Sequence, residues 1–217
     1  MPEGYAEATY RSADGLTLYY RDYPSRRASR FAVLCLPGLT RNSKDFEALA
    51  LHLAADHRVL SPDLRGRARS QWDPNWANYA PPTYVRDVLA LLAAANVERV
   101  AVIGTSLGGI VAMGLAIAVP DRLIGVVLND VGPEIDPRGI ERIRGYSGKL
   151  PPVKTWAEAA AQARATYSIS LGEMSDDEWL EYCRRSYRER EDGTIGPDMD
   201  PRTIWRSEER RVGKECR

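Results

Sequence analysis

The stretch RVAVIGTSLGGIVAMGLAIAV (99–119) constrains the fold more than any other part of this chain. RVAVIG suits a strand buried on both faces, and LGGIVAMGLAIAV suits an apolar helix. Only Thr105 and Ser106 separate them. A strand that turns so sharply into a helix strains its backbone and leaves room only for small neighbours, and Gly104 and Gly108 stand on either side. Such a unit belongs to a βαβ crossover, which is right-handed in nearly every case and builds a parallel sheet.

The rest of the N-terminal part repeats this alternation. FAVLCL (31–36), HRVLSPD (57–63) and LIGVVLN (123–129) read as further buried strands. KDFEALALHLAA (44–55) places Phe46, Leu49, Ala50 and Leu53 at helical spacing, and Thr83 to Asn96 places Val85, Val88, Leu89 and Leu92 on one helical face. AEATYRS and LTLYYRD form a predicted hairpin about Ala13-Asp14-Gly15. The expected class is α/β, a doubly wound, mostly parallel sheet. After Pro133 no strand of comparable quality follows; helices rich in Ala, Arg and Glu do, two of them opened by the capping-box pairs Thr155…Glu158 and Ser175…Glu178. We therefore expect a sheet-based core over 1–132 and a helical cap over 133–205. The segment RSEERRVGKEC (206–216) has no periodicity and can be encoded by a common sequencing-adapter oligonucleotide. Residues 206–217 are expected to be an artefact, with the natural sequence interrupted near Trp205. LIGVVLN would then be left as an exposed apolar edge.

Composition excludes several classes. Lys+Arg and Asp+Glu are 30 each in 217 residues, which supplies no basic surface for a nucleic acid. No segment approaches the ~20 apolar residues of a membrane span, and the N-terminus lacks the pattern of a secretory signal. Three scattered cysteines argue against a disulfide framework or a zinc site, so no metal or cofactor is expected and the cytoplasm is the default compartment. Cys35 reads as a small core residue, and Cys183, among Arg184, Arg185 and Arg188, as part of a solvated helix face.

Gly104-Thr105-Ser106-Leu107-Gly108 matches the pattern G-x-S-x-G in the strand–turn–helix context that its chemistry demands. Pro37-Gly38-Leu39 follows one strand and Ser61-Pro62-Asp63-Leu64-Arg65-Gly66 the next. With these motifs in this order, the chain over about 15–205 resembles the α/β-hydrolase superfamily, in its serine-nucleophile branch with a helical cap. The resemblance implies that Ser106 is the nucleophile and that the backbone N–H groups of Leu39 and Leu107 form the oxyanion hole. A serine at the elbow disfavours the branches that use Asp or Cys there. The implied activity is hydrolysis of a small-molecule ester, lactone or activated C–C bond through an acyl-enzyme. A perhydrolase or haloperoxidase-like enzyme and a non-catalytic ligand-binding protein are the alternatives.

Two departures stand out. Pro37 replaces a histidine common in such loops, and Ala68 stands in RGRARS where a glycine is frequent. The base is the larger question. The family's order is Ser, then Asp or Glu, then His, but the only histidines, His52 and His57, precede Ser106. Both are expected away from the carboxyl ends of the strands, where such sheets build their sites. Asp130, in LNDVGPEI, is either an alternative acid or, as is more usual, a cap of the turn it begins. Asp63 is expected to hold its own loop. Trp72, Trp76, Tyr79 and Tyr84 either pack against the cap or line an apolar acyl pocket.

Overall fold

The computed structural model describes residues 4–134 and 137–203. The stretch 206–217 lies outside them. The chain divides into two compact units between residues 135 and 136.

The first unit is a six-stranded sheet. Its strands are β1 (Ala6–Arg11), β2 (Thr17–Tyr23), β3 (Ala32–Leu36), β4 (Val59–Pro62), β5 (Val100–Thr105) and β6 (Leu123–Asn129), in the spatial order β1-β2-β4-β3-β5-β6. β3 is parallel to β4 and β5, and β5 to β6; the β1–β2 hairpin joins antiparallel through β2 and β4. The apolar runs explain the layering. Along β3, Ala32, Leu34 and Leu36 face one core with α2 (Pro81–Ala94) and α3 (Leu107–Ala118), while Val33 and Cys35 face another with α1 (Glu47–Leu53). Helices thus cover both faces of a mostly parallel sheet. Cys35 is fully buried, and desolvation pushes its thiol up to about 12.

Local chemistry moves two helix readings. α2 begins at Pro81 rather than Thr83, because a proline fits the first helical position, where its missing N–H has no partner to lose. Phe46 and Ala50 enter the core, but Leu49 is exposed: Ser43–Phe46 is a 3₁₀ turn, and its tighter winding shifts the phase of the apolar stripe.

The long loop after β4 is organised by two buried arginines. Arg65, 1% exposed, binds Asp87 through two bonds of 2.6 Å, Asp73 at 2.5 Å and Asp14 at 2.8 and 3.0 Å. One guanidinium so ties the hairpin turn, the loop and α2 together. Its hydrogen bonds bring the Asp14 carboxyl down to about 2, whereas desolvation raises that of Asp87. Arg67, treated below, is the second. Tyr79 and Tyr84 are core residues on the α2 face with polar tips in use, Tyr79 Oη accepting from the Asp73 amide at 2.8 Å and Tyr84 Oη from Arg67 at 2.7 Å. Trp76 packs partly against that core and Trp72 is exposed. Asp63 does hold its loop: its carboxylate accepts from the Arg69 amide at 3.1 Å and also, across the sheet end, from the Ser43 amide at 2.8 Å.

Among the described residues β6 pairs only with β5, and Ile124, Val126, Val127 and Leu128 along it are all exposed, Val127 at 56%.

The second unit holds α4 (Pro137–Tyr146), α5 (Trp156–Leu171) and α6 (Asp176–Ser186). Both capping boxes form at α5 and α6 as predicted. A short hairpin, β7 (Tyr187–Glu189) with β8 (Ile195–Pro197), was not expected; at three residues each, these strands are too brief to show a period. Cys183 is 0% exposed, not on a solvated face. Trp179 and Cys183 stand one turn apart on α6 and pack with Ala159 and Ala163 of α5, while the neighbouring Arg184 is exposed and lies over the Trp156 ring. No helix among the described residues is long and apolar enough to cross a membrane.

Ala68 has φ +41°, a left-handed conformation that costs a residue with a Cβ about 1–2 kcal/mol. Glycine escapes that strain but loses roughly 0.5–1 kcal/mol to extra freedom in the unfolded chain. Ala68→Gly is therefore expected to stabilise by up to about 1 kcal/mol, seen as a rise in the denaturant midpoint; a lower midpoint contradicts the strain.

Candidate active site

Ser106 sits at the turn from β5 into α3 with φ +50° and ψ −112°, outside the regions that non-glycine residues ordinarily occupy. The strain is held from both sides. The Ser106 amide donates to Asn129 O at 2.9 Å, and its carbonyl accepts from the amides of Gly109 and Ile110 at 2.9 and 3.1 Å. The glycines are required by contact. A Cβ on Gly108 would lie 2.1 Å from Leu36 O, and one on Gly104 would lie 2.4 Å from Gly108 O. Both neighbours are backbone and cannot step aside.

The Pro37-Gly38-Leu39 segment flanks this turn. A Cβ built on Gly38 would lie 3.8 Å from Ser106 Cβ and from Thr105 O. Gly38 O accepts from the Arg41 amide at 3.1 Å, closing a turn that leaves the Leu39 amide out of its hydrogen bond. The Leu107 amide is the first of α3 and has no partner within the helix. The helix dipole adds positive potential at the same end.

Asp130 follows β6 directly, is exposed, and has φ +56°. Because Thr105 pairs with Asn129, it stands level with Ser106 on the neighbouring strand. The histidines do not approach. His57 is stacked on Phe31 at 4.5 Å, with Nδ1 2.8 Å from Ser29 Oγ. In the strand register it is level with Phe31, while Ser106 is level with Gly38, a separation of roughly 23 Å at 3.3 Å per residue. His52 lies in the last turn of α1, near that same end, and is exposed.

One residue went unrecognised in the sequence. Arg67 is 0% exposed; its Nε donates to Leu39 O at 3.0 Å, and its Nη1 to Arg65 O at 2.6 Å and Tyr84 Oη at 2.7 Å. Its guanidinium lies over the rings of Tyr84 and Tyr79, 5.0 and 5.9 Å from their centroids. The bare R-G-x-x-x-S spacing carries no hint that this arginine turns inward.

A profile of the α/β hydrolase fold matches residues 32–169, from β3 into α5. The chain belongs to the α/β-hydrolase fold family. This α/β hydrolase is 41% identical over 149 residues to a 3-hydroxybutyrate-oligomer hydrolase of Cupriavidus necator, the match covering 69% of this chain and 50% of that protein. It is 34% identical to the lipase LipV of Mycobacterium tuberculosis, over 68% of this chain and 57% of the other. A crystal structure of an α/β hydrolase from Novosphingobium aromaticivorans superposes with a TM-score of 0.88 at 44% identity, covering 92% of this chain and 70% of that one. The chain spans about half the length of the curated relatives it matches.

The tight approach of β3, β5 and α3 gives this α/β hydrolase a direct test. Gly108→Ala is expected to cost roughly 3 kcal/mol or more, since relief requires moving Leu36 backbone at the centre of the sheet. Urea unfolding measures it, and a loss below about 1 kcal/mol would show that the close approach is not obligatory.

Proposed function

We propose that the protein is an ester hydrolase acting through an acyl-enzyme on Ser106. The observation that carries this is the left-handed backbone at Ser106 beside the Gly38–Arg41 turn, which sets a half-buried serine next to two amides without backbone partners among the described residues. Ser106 Oγ attacks the ester carbonyl carbon and loses its proton to a base. The carbonyl oxygen, now an oxyanion, accepts from the N–H groups of Leu39 and Leu107, each worth about 3 kcal/mol of barrier. The C–O bond then breaks and the alcohol leaves. Water repeats the sequence on the acyl-enzyme, releasing the acid and restoring Ser106.

We place the base outside this chain. His52 and His57 stand at the far end of the sheet, and the relatives contain about as much sequence again. Asp130, level with Ser106, is the acid available to orient an incoming imidazole. Residues 133–205 are read as the family's cap. The ester-hydrolysing names of the relatives support a small ester as substrate, and the Cupriavidus relative points to short esters of hydroxy acids. The scattered cysteines fit a cytoplasmic protein.

A fluorophosphonate, with imidazole supplied as external base, tests the nucleophile. Peptide mapping is expected to find the adduct on Ser106, with none on that peptide in Ser106→Ala. An adduct spread evenly over other serines would overturn the assignment.

A further inference from the structure

We propose that Arg67 is a positioning residue that locks the oxyanion loop from behind and holds an uncompensated positive charge there; this rests on the assignment of Leu39 N–H as an oxyanion donor. Two peptide planes bound Leu39, and each is held by a hydrogen bond to its carbonyl. The plane carrying the Leu39 amide is held by Gly38 O, which accepts from the Arg41 amide at 3.1 Å. The next plane is held by Leu39 O, which accepts from Arg67 Nε at 3.0 Å. With both planes fixed, the direction of the Leu39 N–H is fixed. An oxyanion donor is effective only when it is aimed before the charge develops.

The charge of Arg67 marks it out from its neighbour. Arg65 has three carboxylates around one guanidinium. Arg67, two residues on and equally buried, has no carboxylate within ion-pair distance among the described residues, and its Nη2 is buried without a hydrogen-bond partner. Burying an unpaired cation is costly, and an apolar side chain of similar volume would fill the space with less penalty. Three neutral acceptors and two aromatic faces offset part of that cost. What the guanidinium supplies, and an apolar residue would not, is a donor on Leu39 O and a positive field behind the oxyanion loop, where a low dielectric strengthens it.

The test uses the full chain and two readouts: hydrogen exchange of the peptide covering 37–41, and the rate of Ser106 phosphonylation by a fluorophosphonate at fixed imidazole. In Arg67→Met we expect faster exchange at 37–41, unchanged exchange in β5 and α3, and phosphonylation slowed at least tenfold. Val88→Ala, a core change on the same face away from the loop, is expected to lower the melting temperature and leave both readouts within twofold of the parent. Arg67→Lys keeps the charge but lacks the planar fork that reaches three acceptors. It is expected to loosen 37–41 and to slow phosphonylation less than Arg67→Met, and it stands in should that variant fail to fold. Unchanged exchange at 37–41 in the folded Arg67 variants overturns the proposal, as does an equal slowing in Val88→Ala. If the parent is not labelled at Ser106, the nucleophile assignment falls, and the exchange at 37–41 alone decides the role of Arg67.

Discussion

The contact between the Leu36 carbonyl and the Cα of Gly108 is the constraint on which the rest of the site depends. It lets α3 begin directly against the sheet, which forces the link from β5 into a single strained residue. That residue is Ser106, at φ +50°. Strain of this kind costs of order 1–3 kcal/mol and persists only where the surroundings leave no alternative. Here the alternatives are closed by Asn129 O on one side and by the first turn of α3 on the other. The same closeness brings the end of β3, and therefore the Gly38–Arg41 turn, beside Ser106. The strained turn at Ser106 and the loop beside it are thus consequences of one packing decision at the centre of a parallel sheet.

The loop after β4 supports this arrangement electrostatically. Arg65 gathers three carboxylates and fixes the loop to the hairpin and α2, so that Arg67 emerges in a defined place. Arg67 then reaches Leu39 O in the Gly38–Arg41 turn. The two arginines are neighbours in sequence and similar in burial, yet one gathers three carboxylates and the other three neutral acceptors.

Features that depend on local sterics are legible in the sequence alone. Gly104 and Gly108 announced the tight turn because only a missing Cβ permits it, and the apolar runs announced strands because strands buried on both faces need apolar residues throughout. The capping boxes of α5 and α6 were legible for the same local reason. What was hidden depends on residues distant in sequence. Gly109 packs against Val131, with 2.3 Å to Cγ1 for an added Cβ, and nothing in its neighbours says so. Tyr79 and Tyr84 looked like pocket or cap residues because aromatic side chains in a polar loop suit either, and only the partners of their hydroxyls place them in the core. Cys183 followed its charged neighbours in the sequence, but a helix turns them to other faces.

We propose that Ser106 and the Leu39 and Leu107 amides act as nucleophile and anion site, with neither His52 nor His57 as their base. The most direct measurement is the rate of Ser106 phosphonylation as imidazole is raised from zero at constant pH and ionic strength. The account predicts a rate near zero without imidazole that climbs in proportion to its neutral form. Rapid labelling without imidazole, unaffected by its addition, would place a working base within these 217 residues and contradict the claim.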